Sequence, residues 1–302
     1  MRQILIPTDF SENAWNATRY ALELFKEDEC VFHLLNTYTP ALVSNRFIAH
    51  PKNGRPIAAG SKEQSEEGLG KLMHRIRNYT SNDNHYFETY SSFAMLNDEV
   101  KQFVEQEGID YIVMGTKGAS DQPEVYMGHN TVRLLKSIKS CPILAIPKPF
   151  EFARPDEITF STDFYRFYTD SELAPLIEMA KTFDATIRIV HIQQGIAPLT
   201  DVQQFNLGML RKYLGPVEHY VHTVSELDSV SKTLQVFNEE LNIHLLAMLN
   251  YRYSYLDQVT EDPVVKKKTF ETEVPLMIIP ELSMGGPGHR AKSPMSYAEG
   301  IN

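Results

Sequence analysis

The chemistry in this chain is concentrated in two short stretches. Gly115, Gly118 and Gly128 stand in the pattern Gly-x2-Gly-x9-Gly, directly after the apolar run Tyr111–Gly115. The last of them opens Gly128-His129-Asn130-Thr131, at the start of a helical pattern. Glycine lets a backbone turn tightly and come close to a ligand. A helix start offers N–H groups with no intrahelical partner, which suits phosphate oxygens. Met114 and Thr116 flank the first glycine, and Asn130 and Thr131 add polar side chains. The second stretch is Pro7-Thr8-Asp9-Phe10-Ser11, after the apolar Ile4–Ile6. The glycine pattern lacks the Gly-Lys-Ser/Thr ending of a P-loop, and its spacing is not that of the dinucleotide fingerprint. Plain turn glycines account for the same residues, and Asp9 also suits a helix start as a partner for backbone donors.

Positioning these groups requires strands that end where the polar stretches begin. Short apolar or β-branched runs at Ile4–Thr8, Val31–Thr37, Tyr86–Tyr90, Tyr111–Gly115 and Ile143–Ile146 read as buried strands. Between them, Glu12–Lys26, Lys62–Tyr79, Asp98–Glu107 and Thr131–Ile138 read as helices. Trp15, Thr18, Leu22 and Phe25 recur at helical spacing, and Ser11 suits the N-cap. Alternating strands and helices predict a doubly wound parallel α/β sheet, whose ligands bind beyond the carboxyl ends of the strands.

The pattern occurs twice. Ile4-Leu5-Ile6-Pro7-Thr8-Asp9-Phe10 returns as Ile158-Thr159-Phe160-Ser161-Thr162-Asp163-Phe164. Cys141-Pro142-Ile143-Leu144-Ala145-Ile146-Pro147 returns as Val274-Pro275-Leu276-Met277-Ile278-Ile279-Pro280. The expected fold is therefore α/β with two tandem doubly wound five-stranded sheets, over residues 1–148 and 156–281. A short linker with two prolines, Lys148–Pro155, separates them, and residues 282–302 read as a flexible tail. The first copy carries an extra segment, roughly Thr39–Gly60, whose prolines and glycines predict a loop.

These motifs resemble the universal stress proteins, in particular the tandem type with a Rossmann-like fold. The carrying residues are Pro7–Ser11, Leu34-Leu35-Asn36-Thr37-Tyr38, Val113-Met114-Gly115-Thr116-Lys117-Gly118, Gly128–Thr131 and Cys141–Pro147. Some members of that family bind ATP. The resemblance implies a site for ATP or a related adenine nucleotide in residues 1–148. It places Asp9 by the ribose and phosphates, with Mg²⁺ brought near it by the nucleotide, and Thr37 against adenine. It places Gly115, Gly118, Gly128, His129, Asn130 and Thr131 around the phosphates, with Pro7, Thr8, Met114 and Thr116 lining the site. Members pair through their last strands, which implies an intramolecular pseudo-dimer of the two halves and leaves room for a homodimer. The extra segment is placed to cover the nucleotide. Two departures stand out. His129 replaces the usual Ser or Thr after the last glycine. In the second half, Leu249, Arg252 and Glu261 fall where the three glycines stood, so nucleotide binding by this route is expected to be lost there.

Composition narrows the function classes. Lys plus Arg is 29 and Asp plus Glu is 39, a formal charge of -10, which disfavours generic nucleic-acid binding. No apolar run approaches the ~18–20 residues of a membrane span, and the first residues carry no signal-peptide pattern, so a cytoplasmic protein is expected. Cys30 and Cys141 are too few for a disulfide framework and read as core thiols. His219 and His222 lie on opposite faces of a strand, which argues against a shared metal. Lys266-Lys267-Lys268 reads as a solvated face, and Met114 and Met248 as packing at equivalent strand ends. The expected function is a nucleotide-binding regulatory or stress-response protein rather than a committed enzyme. The alternatives are a slow ATPase or phosphoryl or nucleotidyl transferase, and a nucleotide-free interaction scaffold.

Overall fold

The computed structural model describes residues 1–38, 57–118, 127–148, 151–193, 195, 197–251 and 273–281, with 57–61 as backbone only. The first half runs β1 (Arg2–Pro7), α1 (Glu12–Leu24), β2 (Cys30–Thr37), α2 (Ile57–Tyr79), β3 (His85–Ser92), α3 (Leu96–Glu107), β4 (Tyr111–Gly115), α4 (His129–Ser137) and β5 (Ile143–Ile146). The second runs β6 (Glu157–Ser161), α5 (Asp170–Phe183), β7 (Thr186–Gln193), α6 (Asp201–Leu214), β8 (His219–Ser225), α7 (Val230–Glu240), β9 (Leu245–Asn250) and β10 (Leu276–Pro280). The extra segment differs from its sequence reading at one end. Its last residues, Ile57–Gly60, already belong to α2, because no proline follows Pro56 in this run. Thr39–Pro56, Lys266–Lys268, Arg252, Glu261 and the tail from 282 lie outside the described residues.

All ten strands form one sheet, in the order β3-β2-β1-β4-β5-β10-β9-β6-β7-β8. The sequence suggests two sheets, and the structure joins them edge to edge. Every neighbouring pair is parallel except β5 and β10, which run antiparallel with Leu276 opposite Ala145 and Ile278 opposite Ile143. The inner strands are apolar at nearly every position because helices cover both faces. Side chains alternate between those faces. Ile4, Ile6, Leu144, Ile146, Met277 and Ile279 enter one core, and Leu5, Ile143, Ala145, Leu276 and Ile278 enter the other. Both cores therefore run through the seam without a break.

Polar contacts reinforce the seam. Arg2 on β1 pairs with Glu178 on α5 at 2.8 Å and with Asp28 at 2.6 Å. Asn250, the last residue of β9, donates from Nδ2 to the Leu135 carbonyl of α4 at 2.5 Å. Cys30 and Cys141 are buried free thiols, each pushed up to about 12 by burial, which suits the packing role read from the sequence. Among the described residues no helix is long and apolar enough to cross a membrane.

Ile278 tests the continuity of the core, since it is 2% exposed and sits on the seam. Ile278→Ala is expected to cost about 2–5 kcal/mol in denaturant unfolding while leaving a single cooperative transition. Two separate transitions, with only one displaced, would contradict a shared core.

Candidate functional site

The strand order reverses between β1 and β4, since the chain leaves β1 toward β2 and leaves β4 toward β5. That switch point is where a crevice opens beyond the strand ends. Pro7–Ser11 forms one wall and Gly115–Gly118, with the start of α4, forms the other.

Local hydrogen bonds shape the first wall. The buried Thr8 donates its N–H to the Leu35 carbonyl at 2.8 Å, and Asn36 Nδ2 donates to the Thr8 carbonyl at 2.7 Å. The Thr8 hydroxyl accepts from Phe10 N–H at 3.1 Å, and Asp9 Oδ1 accepts from Ser11 N–H at 3.0 Å. Ser11 Oγ accepts from Ala14 N–H at 3.1 Å and caps α1. These bonds hold Phe10 at φ 63°, a left-handed conformation that costs a non-glycine residue energy. The Phe10 ring lies on α2 at Gly68, where a Cβ would come within 2.4 Å of it. Asp9 itself is exposed. Thr37 is half-buried at the end of β2, beside Ser92 of β3, and the following Tyr38 meets Phe93 edge-on at 5.6 Å.

The second wall is built around Gly115. Thr116 is buried, donates its N–H to the Ile146 carbonyl at 3.0 Å and accepts from Gly128 N–H at 2.7 Å. The Thr131 hydroxyl donates to the Gly115 carbonyl at 3.1 Å. This hydroxyl serves the fold, which leaves the backbone as the donor set at α4. Gly128 caps α4 without a side-chain bond, and the first helical bond runs from Val132 N–H to the Gly128 carbonyl at 3.0 Å. The N–H groups of His129, Asn130 and Thr131 have no partner among the described residues, and the His129 and Asn130 side chains are exposed. Three free donors at the positive end of a helix dipole make an anion site. Met114 packs into a core and brings no side chain to the crevice. Gly118 is half-buried where the described chain breaks off.

One glycine has a different cause from the one its spacing suggests. A Cβ on Gly115 would lie 2.5 Å from Asn13 Nδ2 and 2.9 Å from Asn13 Cγ. Its missing side chain makes room for a neighbour from α1, and Asn13 Nδ2 goes on to donate to the Lys117 carbonyl at 2.9 Å. A lone Asn in the first turn of a helix gives no sequence signal for this contact. Among the described residues no cluster of three or more His, Cys, Asp or Glu could hold a metal. A single carboxylate at Asp9 suits an ion ligated mainly by phosphate and water oxygens.

The second half repeats the turn and closes it. Phe164 sits at φ 61°, with Thr162 and Asp163 making the same two bonds to the backbone. Here, however, Asp163 Oδ1 also accepts from the Tyr251 hydroxyl at 2.6 Å. Burial and then the Asp163 charge hold the Tyr251 phenol far above its usual range. Arg166 lies over the Tyr251 ring at 5.2 Å and pairs with the fully buried Glu172 at 2.6 Å. Phe164 is fully buried and stacks on His191 at 4.9 Å, where Phe10 is exposed. Leu249 is buried in the position of Gly115.

Comparison with known proteins follows the same division. Residues 1–147 match the model of the Universal stress protein family. Universal stress protein MJ0531 of Methanocaldococcus jannaschii is 25% identical over 150 residues, which is 49% of this chain and 83% of that protein. Universal stress protein MJ0577 of the same organism is 27% identical over 157 residues, 49% of this chain and 95% of that protein. A universal stress protein from Archaeoglobus fulgidus DSM 4304 superposes with a TM-score of 0.66 at 17% identity, covering 92% of this chain and 96% of that one. The superposition shows the fold alone. The sequence matches therefore fall on the half that carries the glycine turn and the helix-start donors, and residues 1–147 are similar to the universal stress protein family.

Proposed function

We propose that residues 1–148 bind one adenine nucleotide beyond the carboxyl ends of β1 and β4, and that the second half binds none. The observation that carries this reading is the set of three N–H groups at the start of α4 that have no partner among the described residues, tied to the β1 side by the bonds of Thr131, Gly128 and Asn13. Phosphate oxygens are the chemistry that such a set accepts. His129 and Asn130 extend from the same turn and add donors at its rim. The family resemblance supplies the adenine. On this reading the ribose lies by Asp9 and the base lies toward Thr37, at the end of β2.

A magnesium ion arriving with the nucleotide would use Asp9 and supply charge neutralisation for the phosphates. One Asp9 oxygen already accepts from Ser11 N–H, so the carboxylate is held in place before any ligand binds. The second half acts as a built-in partner, with β10 beside β5 in the role that a second chain's last strand would take. Its own turn is occupied by Tyr251, Arg166 and Glu172. We infer a cytoplasmic regulatory protein of the stress-response type, in which the nucleotide is bound rather than rapidly turned over.

The direct test is to denature freshly purified, undialysed protein and identify any released nucleotide by chromatography and mass. If none is retained, titration with ATP and Mg²⁺ follows. The comparison variant is His129→Glu with Asn130→Asp, which places negative charge at two exposed positions without touching the packing. It is expected to weaken binding at least tenfold, about 1.4 kcal/mol. Equal binding by wild type and variant would contradict the site. Phosphate release that disappears in Asp9→Ala would instead support slow hydrolysis.

Tyr251→Phe probes the closed half. Loss of the phenol leaves part of the Asp163 carboxylate without its donor, and a cost of about 1–3 kcal/mol in thermal or denaturant unfolding is expected. Nucleotide stoichiometry should stay at one per chain. A second equivalent in this variant would show that Tyr251 had been masking a competent site.

A further inference from the structure

We propose that Asn13 is the positioning residue of the nucleotide site, holding the Gly115–Gly118 turn in its binding shape and offering a buried acceptor, Oδ1, for a donor of the occupant. This inference rests on the nucleotide reading of residues 1–148.

Asn13 is the second residue of α1 and is 4% exposed. Its carboxamide fills the volume that a Gly115 side chain would need, within 2.5 Å of that Cβ position. Its Nδ2 donates to the Lys117 carbonyl at 2.9 Å. One side chain thus joins the start of α1 to the turn leading out of β4. Through the Thr131 bond to the Gly115 carbonyl, that turn is also tied to the start of α4. Both helix starts are therefore indexed to a single carboxamide. A turn fixed in this way loses less conformational freedom when a ligand arrives, which strengthens binding without any added contact.

The other end of the same side chain is what points to a ligand. Asn13 Oδ1 is buried and has no hydrogen-bond donor among the described residues. A buried acceptor without a donor carries a desolvation cost, and native interiors rarely keep one without a reason. A leucine would fill a similar volume without that cost. A donor brought by the occupant, a sugar hydroxyl or a water carried in with it, would satisfy that oxygen.

The closed half shows what happens when the arrangement is released. Asn13 is the second residue of α1, the second residue of α5 is Ser171, and Leu249 stands where Gly115 would be. Ser171 is exposed and Leu249 is buried. Both partners have changed in the half where Tyr251 occupies the Asp163 carboxylate.

The test compares wild type with Asn13→Leu, Asn13→Ala, Gly115→Ala and the Asn13→Ala/Gly115→Ala double variant. Each is followed by thermal unfolding without nucleotide and by ATP titration of the folded protein. Asn13→Leu is expected to match or exceed the wild-type midpoint yet bind ATP at least tenfold more weakly. Gly115→Ala is expected to unfold at a clearly lower temperature. The double variant should recover most of that loss, because the space is vacated, and should still bind weakly. A purely packing role for Asn13 would move the midpoint and leave the affinity of the folded protein unchanged, and that result overturns the proposal. Equal midpoints for Gly115→Ala with and without Asn13→Ala would overturn it as well. Wild type that binds no ATP would instead remove the nucleotide reading on which it rests.

Discussion

The antiparallel pairing of β5 with β10 is the contact on which the rest of the molecule depends. Each half is a parallel sheet with an apolar last strand that would be an exposed edge if left alone. Pairing those edges removes two exposed strands and lets both cores continue through the seam. It also sets the direction of everything else. Because the seam is antiparallel, the carboxyl ends of β1–β5 and of β6–β10 open on opposite edges of the sheet. The turns at Thr8–Phe10 and Thr162–Phe164 therefore lie at opposite edges of the sheet. The two have been free to diverge.

Their divergence separates what the shared turn does from what the nucleotide site needs. The Thr-Asp-Phe turn, with its left-handed phenylalanine and two side-chain-to-backbone bonds, is the same in both halves. It is a way of leaving a strand and entering a helix, and it persists without any ligand chemistry. The glycines after β4 have no counterpart in the sequence of the second half, where Leu249 is buried in the position of Gly115. In the second half, the residues around Asp163 satisfy one another, with a tyrosine hydroxyl on the carboxylate and an arginine over the ring. Filling a polar crevice with paired side chains avoids the penalty of buried groups left unpaired.

The strands and the parallel class were legible in the sequence because strands covered on both faces must be apolar at consecutive positions. Tyr111–Gly115 and Ile143–Ile146 lie where their residue types place them. The repeat was legible because both halves begin and end on the same strands. The joining of the halves into one ten-stranded sheet left no local pattern, since edge pairing is a contact between residues far apart in the chain, and only the family resemblance pointed to the last strands. Gly115 was legible as special, but its spacing suggested room for a ligand where the structure shows room for Asn13. Asn13 and Tyr251 were missed for the same reason. Each is an ordinary residue in its own segment and gains its role from a partner more than eighty positions away.

The central claim is that the turn after β1, with the start of α4, takes a nucleotide and the matching turn after β6 does not. Backbone amide NMR of the ¹⁵N-labelled chain during an ATP titration tests it most directly. The account predicts shifts at Asp9, His129, Asn130 and Thr131 that saturate at one equivalent, while Asp163, Phe164 and Tyr251 stay unmoved. Shifts centred on Asp163 and Tyr251, or saturation at two equivalents with both turns responding, would contradict it.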